Sequence, residues 1–286
     1  MSGAQGLRAA ALHRLPALRL AYPAQFRRAT PGRLRAGGIV LGAMLLLGFG
    51  IWRLQVAPSR LLAGLGQLVQ FLGLMLPPDP GSAAQALSIL HALAETLAIA
   101  FLGTLLAASL ALPVGLPAAR NTTINGLVRF AARRVLDGIR GVDALIWALI
   151  WVGVVGLGPL AGVLAIMTSD IGTFGKMYSE ALEAADRRAE EGVVAAGGAG
   201  LARLRFGVLP GVLPVMAGQV LYMFESNTRS STIIGIVGAG GIGLTLTEMI
   251  RTLEWPAVAF ILLLVLAMVA AIDALAARLR RRLTGA

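Results

Sequence analysis

The stretch that decides the fold class is residues 87–116, LSILHALAETLAIAFLGTLLAASLALPVGL. Its one charged residue is Glu95, and it exceeds the roughly 20 apolar residues that a helix needs to cross about 30 Å of hydrocarbon. The whole chain is 57% hydrophobic and 14% charged, whereas a soluble domain carries about 25% charged residues. Because backbone polar groups in lipid must be paired within the segment, an all-α integral membrane protein is predicted.

Other apolar stretches bring the prediction to about six transmembrane helices. They lie at residues 39–56, 143–174, 209–224 and 257–275, and the second is long enough for two helices joined by a turn at GLGP, residues 156–159. Two further segments are predicted not to cross: 61–76, which is short and ends in prolines, at the outer interface, and 129–140, which is basic and amphipathic. The predicted organisation is a basic tail at 1–38, a first helix with its interfacial segment at 39–90, a transmembrane domain at 91–277 and a basic tail at 278–286.

The positions of the basic residues predict the orientation. With the amino terminus in the cytoplasm, all of the 25 Lys and Arg residues face inward except Arg53, Arg60, Arg229 and Arg251. Both termini are therefore predicted to be cytoplasmic. The same distribution accounts for the net charge of +11 without nucleic acid, because the basic residues occupy four separate inner segments.

The residues that are missing argue against several classes of site. Cysteine is absent and His13 and His91 are far apart, so no metal site is expected. Lys176 is the only lysine and Met177 follows it, so the chain has no phosphate-binding loop of the GxxxxGK[ST] type and cannot be its own P-loop ATPase. Residues 238–243 match GxGxxG, but they lie between two predicted spans and not in a βαβ unit. No catalytic set is found, and the chain is not expected to be an enzyme.

Residues 190–214, EEGVVAAGGAGLARLRFGVLPGVLP, resemble the coupling loop of permeases in ATP-binding cassette (ABC) importers. That motif has an acidic residue, a glycine six positions on, and a Leu-Pro pair whose proline is nineteen positions after the acid. Glu191, Gly197, Leu209 and Pro210 have this spacing, whereas counting from the literal EAA that begins at Glu183 fails. Two parts of the motif are degenerate: the triplet reads EGV, and a glycine at 207 replaces the usual hydrophobic residue.

The residues around this motif predict a rigid knob outside the bilayer. Residues 181–196 are mostly good helix formers, glycines then permit a sharp turn, and 201–206 can form a short second helix before the next span. A coupling loop at 178–208 would be gripped by a separate ATPase subunit; the alternative is an ordinary amphipathic loop without a partner. The candidate ATPase-coupling residues are Glu183, Glu191, Gly197, Gly200, Leu209 and Pro210.

Residues 224–243, FESNTRSSTIIGIVGAGGIG, together with 137–165 and 111–121, resemble the permease of phosphonate-uptake systems. The resemblance implies the MetI-like arrangement of type I ABC importers and the import of phosphonate or a related phosphorus oxyanion by alternating access. It implies as partners a cytoplasmic ATPase that binds ATP and Mg²⁺, an extracytoplasmic substrate-binding protein, and a second permease copy, identical or paralogous, in a bacterial inner membrane. The alternatives are a stand-alone secondary transporter or channel and a membrane-embedded enzyme. The choice among phosphonate, phosphite, hypophosphite and phosphate stays open.

Polar residues within the predicted spans are the candidates for a translocation pathway, since ionisable groups at membrane depth are costly. Glu95 and His91 share a helical face and can line a pathway or pair with each other. A dense polar cluster beside a predicted outer helix end can contact an anion or form a hinge held by a Glu225–Arg229 salt bridge, and its candidates are Glu225, Asn227, Arg229 and Ser230. Asp170 is expected to be structural, near an inner helix end. A flexible glycine segment is predicted to pack closely or dip into the bilayer beside the pathway, and its residues are Gly238, Gly240, Gly241 and Gly243.

Overall fold

The computed structural model describes residues 16, 20, 31–55, 58–123 and 125–284, so most of the predicted tail at 1–38 lies outside the described residues. The described part is helical and contains no β-strand. The helices are α1 (Pro31–Arg53), α2 (Pro58–Leu74), α3 (Ala83–Ala118), α4 (Gly126–Arg140), α5 (Ala144–Val155), α6 (Pro159–Glu183), α7 (Arg187–Ala195), α8 (Leu209–Ile236), α9 (Ile242–Arg251) and α10 (Trp255–Thr284), with a π-helical segment, Arg203–Val208, leading into α8. The predicted all-α membrane fold is confirmed.

The chain forms two compact units, Met1–Gln70 and Phe71–Ala286, and the division falls within α2. In the first unit, the large apolar side chains of α1 are exposed, from Ile39 at 73% to Ile51 at 49%. Such a surface suits lipid, which is the environment predicted for this helix.

The second unit is built around α3 and α6, which pack along each other. Small residues allow the two helices to approach closely: a Cβ on Gly103 would lie 2.7 Å from Ile166 Cβ, and one on Gly115 would lie 3.1 Å from Gly175 O. Three buried clusters surround this pair, centred on Phe174, on Ile99 and Ile166, and on Ile89 and Ile261. The core of the unit is therefore a bundle of helices that meet through alanine, glycine and branched aliphatic residues.

The count of helices that can cross a membrane agrees broadly with the prediction. Among the described residues, four helices are long and apolar enough, and α4 with α5 provides a fifth span if this pair, bent by 83°, is one broken crossing. The predicted turn at residues 156–159 is present, since α5 ends at Val155 and α6 begins at Pro159. Gly156 and Gly158 have φ angles of 90° and 135° in this turn, a conformation that favours glycine.

The structure corrects the boundaries around the fifth predicted span. Residues 201–206 do not form a separate helix, because the π-helical segment continues directly into α8. That helix also runs past the predicted end at 224 to Ile236, so the polar cluster that begins at Glu225 lies inside a helix and not beside its outer end. The helix can continue there because the polar side chains find partners on neighbouring helices, as described below.

Candidate functional site

The segment between α6 and α8, residues 184–208, forms a bent projection that we call the coupling elbow. Its helix α7 is capped by Asp186, whose Oδ1 accepts a hydrogen bond from the Arg188 N–H at 3.0 Å. The predicted helix over 181–196 is thus interrupted at 184–186, because an aspartate there starts a new helix and does not continue α6.

The end of α7 is a glycine turn of the kind that terminates many helices. The Gly197 N–H donates to Val194 O and the Gly198 N–H donates to Val193 O, each at 2.9 Å. Gly197 and Gly200 have φ angles of 85° and 53°, and such values carry little cost for glycine. The chain therefore reverses after two and a half turns of helix, as the glycine-rich sequence predicts, and leaves α7 as a compact projection.

No residue of α7 is buried, and this makes the helix a surface available to another protein. Val194 is 52% exposed. Glu190 is half-buried and its Oε1 lies 3.3 Å from Arg203 Nε, whereas Glu191 is exposed. Among the described residues, no ion pair engages Glu191.

Four polar contacts hold the end of α6 and the elbow to α4 and to the loop that follows α3. Glu183 Oε1 accepts from Arg133 Nη2 at 2.7 Å and from the Arg120 N–H at 2.8 Å. Arg203 Nη2 donates to Asn121 O at 2.9 Å, and Asn121 Nδ2 donates to Leu182 O at 2.6 Å. These bonds hold Glu183 just before the elbow and Arg203 near its end, which restricts the motion of the elbow relative to the bundle.

Gly207 holds α7 against the start of α8 through a backbone contact. A Cβ at this position would lie 2.9 Å from Glu190 Cα and 3.4 Å from Ala189 O. The glycine that departs from the family motif is therefore required by the close approach of two backbones.

The π-helical geometry arises at the junction with α8. The Leu209 N–H donates to Leu204 O, five residues back, and the following residue, Pro210, has no N–H to donate. Leu209 is half-buried and Pro210 is exposed at this junction.

Two cavities flank the elbow. The first, of about 750 Å³, has charged walls, which include Arg120, Glu183, Arg187, Glu190, Glu191 and Arg203. The second, of about 320 Å³, has mostly apolar walls formed by the elbow and the start of α8, with Phe206, Pro210 and Val215 among them. A projection with charged and apolar recesses on its sides is suited to grip by a partner protein.

The glycine segment after α8 is enclosed by the bundle. The Gly241 N–H donates to Glu95 Oε1 at 2.9 Å, and the next N–H, of Ile242, donates to Thr96 Oγ1 at 2.7 Å. Two side chains of α3 thus cap the start of α9, where Gly241 has no side chain to do so. Glu95 makes this bond instead of the predicted pair with His91; no ion pair joins the two among the described residues.

The same segment is more restrained than its composition predicts. A Cβ on Gly240 would lie 2.7 Å from Pro159 N, and the Gly158 N–H donates to Gly238 O at 3.0 Å. Gly243 packs directly on the Thr232 carbonyl oxygen. Residues 238–243 are all buried, so these glycines serve close backbone packing and not flexibility.

A buried polar triad joins three helices. Asn227 Nδ2 donates to Thr104 Oγ1 at 2.9 Å and to Asp170 Oδ2 at 2.5 Å. All three residues are buried. Asp170 lies in the middle of α6 and not near a helix end as predicted. Asn227 supplies the hydrogen-bond partner that a buried carboxyl group needs.

Four charged residues connect α8 to the last helix. The predicted Glu225–Arg229 pair is present at 3.6 Å, and Arg229 also lies 3.2 Å from Asp273 and Glu225 3.1 Å from Arg280. Asp273 and Arg280 belong to the arginine-rich half of α10, so this cluster lies toward the terminal tail. Ser230 is half-buried on the same helix.

The comparisons with known proteins identify the family. Residues 111–285 match the family model described as "Binding-protein-dependent transport system inner membrane component". This chain belongs to that family. It is a multi-pass permease subunit of the inner membrane, and its relatives include the putative phosphite transport system permease protein HtxC of Stutzerimonas stutzeri, 38% identical over 90% of each chain. The phosphate-import permease protein PhnE of Mycolicibacterium smegmatis is 36% identical over 80% of this permease and 43% of the relative.

Solved structures confirm the fold. The permease resembles a chain of the inward-facing MetNI methionine ABC transporter with a TM-score of 0.61 and 21% identity, over 71% of the permease and 99% of that chain. It resembles a chain of an amino acid ABC transporter crystallised with histidines with a TM-score of 0.56 and 16% identity, over 76% and 97%. The MetI-like arrangement is thus observed at the level of the fold.

Several residues of the permease that the structure brings to the elbow were not predicted from sequence. Asn121, Arg133 and Arg203 are separated from their partners by 50 to 82 positions, and their residue types alone do not indicate these contacts. The contact at Gly207 could have been predicted, because this position departs from the motif. A glycine in place of a hydrophobic residue indicates a close backbone approach.

Proposed function

We propose that this permease imports phosphonate or a related phosphorus oxyanion as the membrane subunit of an ATP-driven importer. A separate cytoplasmic ATPase would bind ATP and Mg²⁺, and an extracytoplasmic binding protein would deliver the substrate. The observation that carries the proposal is the exposed helix α7, which has no buried residue and lies between Glu183 and Arg203, two residues bonded to the bundle. Relatives named for phosphite and phosphate transport support the substrate class.

The coupling step follows from the way the elbow is attached. An ATPase that grips α7 and closes would displace it as a rigid body, and the Gly207 contact and the Arg203 bonds would pass this displacement to the start of α8. Since the π-helical segment and α8 are continuous over 34 residues, the motion would reach Asn227 and Arg229, where α8 contacts three other helices.

In this proposal, substrate selection rests with the binding protein, and the permease offers only transient contacts. Glu95, Glu225, Asn227, Arg229 and Ser230 remain candidates for the pathway. Two copies, identical or paralogous, would enclose that pathway, and both termini would lie in the cytoplasm. A stand-alone secondary transporter or channel is not favoured, because the family is binding-protein-dependent and the chain presents an elbow with no evident role in such a carrier.

Reconstitution tests the proposal. Proteoliposomes containing the permease with its ATPase and binding protein should take up labelled phosphite or phosphonate when ATP is supplied on the ATPase side. Glu191→Ala should lower the rate roughly fivefold or more, the effect of losing an interface contact worth over about 1 kcal/mol. Gly197→Pro should abolish uptake, because proline cannot adopt the observed positive φ.

The control is Gly153→Ala in α5, outside the elbow, where an added Cβ meets nothing within 4 Å. It should leave uptake unchanged. Uptake by the permease alone, or full uptake in both the Glu191 and Gly197 variants, would contradict the proposal.

A further inference from the structure

Helix α4 carries an exposed apolar stripe. Leu127, Ala131 and Val135 follow one another at intervals of four residues and so lie on one face, with Val128 beside them. Leu127, Val128 and Val135 are 73%, 47% and 56% exposed. Such a stripe on a surface helix indicates a partner of apolar character.

The stripe cannot turn inward, because the opposite face of α4 is fixed to α6. A Cβ on Gly175 would lie 2.5 Å from Leu136 Cδ2, and one on Gly172 would lie 2.8 Å from both Leu136 O and Arg140 N. The Arg133–Glu183 salt bridge, at 2.7 Å, adds a polar attachment on the same side. The orientation of α4 about its own axis is thus set by close backbone packing.

The arginines of α4 lie outside the stripe. At about 100° per residue, Arg134 falls beside one edge, while Arg129 and Arg140 fall next to Leu136, on the side of the helix that packs on α6. Arg134 lies 2.9 Å from Asp137 and over the ring of Phe130 at 5.5 Å. The helix contains four arginines and one acidic residue, so its charge is complementary to an anionic surface.

The helix also ends shortly before an apolar segment begins. α5, ALIWALIWVGVV, is wholly apolar, and α4 is bent from it by 83°. Because four arginines cannot follow α5 into hydrocarbon at low cost, the bend keeps α4 at the level of the lipid headgroups. A helix with an exposed apolar stripe on one side and arginines on the other is the pattern of an interfacial helix.

We propose that α4 binds anionic phospholipid, with the stripe inserted among acyl chains and Arg129, Arg134 and Arg140 contacting headgroup phosphates. This surface rests on the membrane location of the permease and not on coupling through α7 or on the nature of the substrate. The occupant is a lipid and not a protein because the apolar stripe and the net positive charge of α4 both match a phosphatidylglycerol-type monolayer.

Single-cysteine variants test the proposal, since the natural chain has no cysteine. A fluorophore attached in Leu127→Cys or Val135→Cys should be quenched by brominated lipids in nanodiscs that hold the full chain in mixed phosphatidylcholine and phosphatidylglycerol. Brominated phosphatidylglycerol should quench more than brominated phosphatidylcholine at equal fraction, because each arginine engaged enriches anionic lipid beside α4 by up to about fivefold. A label in Val194→Cys on α7 should not respond to either lipid.

The combined variant Arg129→Gln, Arg134→Gln and Arg140→Gln should remove the preference between the two lipids and keep the quenching. The corresponding lysine variant, which retains the charge, should keep the preference and shows whether the glutamine variant simply misfolds. Equal quenching at positions 135 and 194 would overturn the proposal. So would equal response to both lipids with the arginines intact, or protection of position 135 only when the ATPase subunit is added.

Discussion

Replacing Gly207 by alanine tests whether a backbone contact transmits motion from α7 to α8. The added Cβ would lie 2.9 Å from Glu190 Cα and 3.3 Å from Glu190 N, whereas carbon atoms in contact are ordinarily separated by about 3.5–4.0 Å. The neighbouring atoms belong to the backbone, so no change of rotamer relieves the overlap, and α7 must move by roughly 0.6 Å or detach. Overpacking of this kind costs about 1–3 kcal/mol, which is about 5- to 150-fold in the population of the docked elbow.

The assay is ATP-driven uptake by the reconstituted importer, with thermal unfolding of the purified permease measured alongside. Gly211→Ala is the matched control, because Gly211 lies one turn further along α8 and an added Cβ there meets nothing within 4 Å. Since alanine is the better helix former, this control should be neutral or slightly stabilising. We expect uptake to fall at least roughly fivefold in the Gly207 variant only, with little change in unfolding temperature. Equal uptake in the two variants would refute the reasoning.

Three further predictions concern the interior of the bundle. Asn227→Ala leaves the buried Asp170 carboxyl group without its partner and should lower the free energy of unfolding by about 1–3 kcal/mol, measured by denaturation in detergent. Glu95→Ala removes a cap from α9 and should cost about 0.5–2 kcal/mol, seen as faster hydrogen exchange at the Gly241 amide, whereas Glu95→Gln retains an acceptor and should change exchange less. Gly240→Ala places a Cβ 2.7 Å from Pro159 N at a φ of 82° and should lower the unfolding temperature; an unchanged temperature would contradict the packing described for this turn.

Much of the fold could be predicted from the sequence because lipid imposes simple requirements on the chain. Residues 87–116 are apolar over a length that only a spanning helix satisfies, and the GLGP turn at 156–159 marks a break that the structure shows. The glycines that end α7 were predictable for a different reason: Gly197 adopts a backbone conformation that favours glycine over other residues.

The interior polar contacts could not be predicted, because they depend on which faces of distant helices meet. Asn227 bonds to Asp170 and Thr104, which are 57 and 123 positions away, and nothing in their local sequence specifies that pairing. The same contacts explain the error in the predicted end of the fifth span: residues that look like a helix end by polarity remain helical when partners are available.

The elbow was predicted in part. The motif located α7 and its terminal turn correctly, and it failed to show that the following helix is continuous with α8. That continuity depends on a π-helical junction in which Leu209 reaches back to Leu204, a geometry that residue composition does not reveal.

The most direct test of the central claim, that α7 is the surface through which a separate ATPase acts, is site-specific cross-linking in the reconstituted importer. A cross-linker attached in Glu191→Cys should join the permease to the ATPase subunit, and one attached in Leu157→Cys, on the exposed turn before α6, should not. Cross-linking of position 191 to the binding protein, or no ATPase adduct in an importer that transports at full rate, would contradict the account.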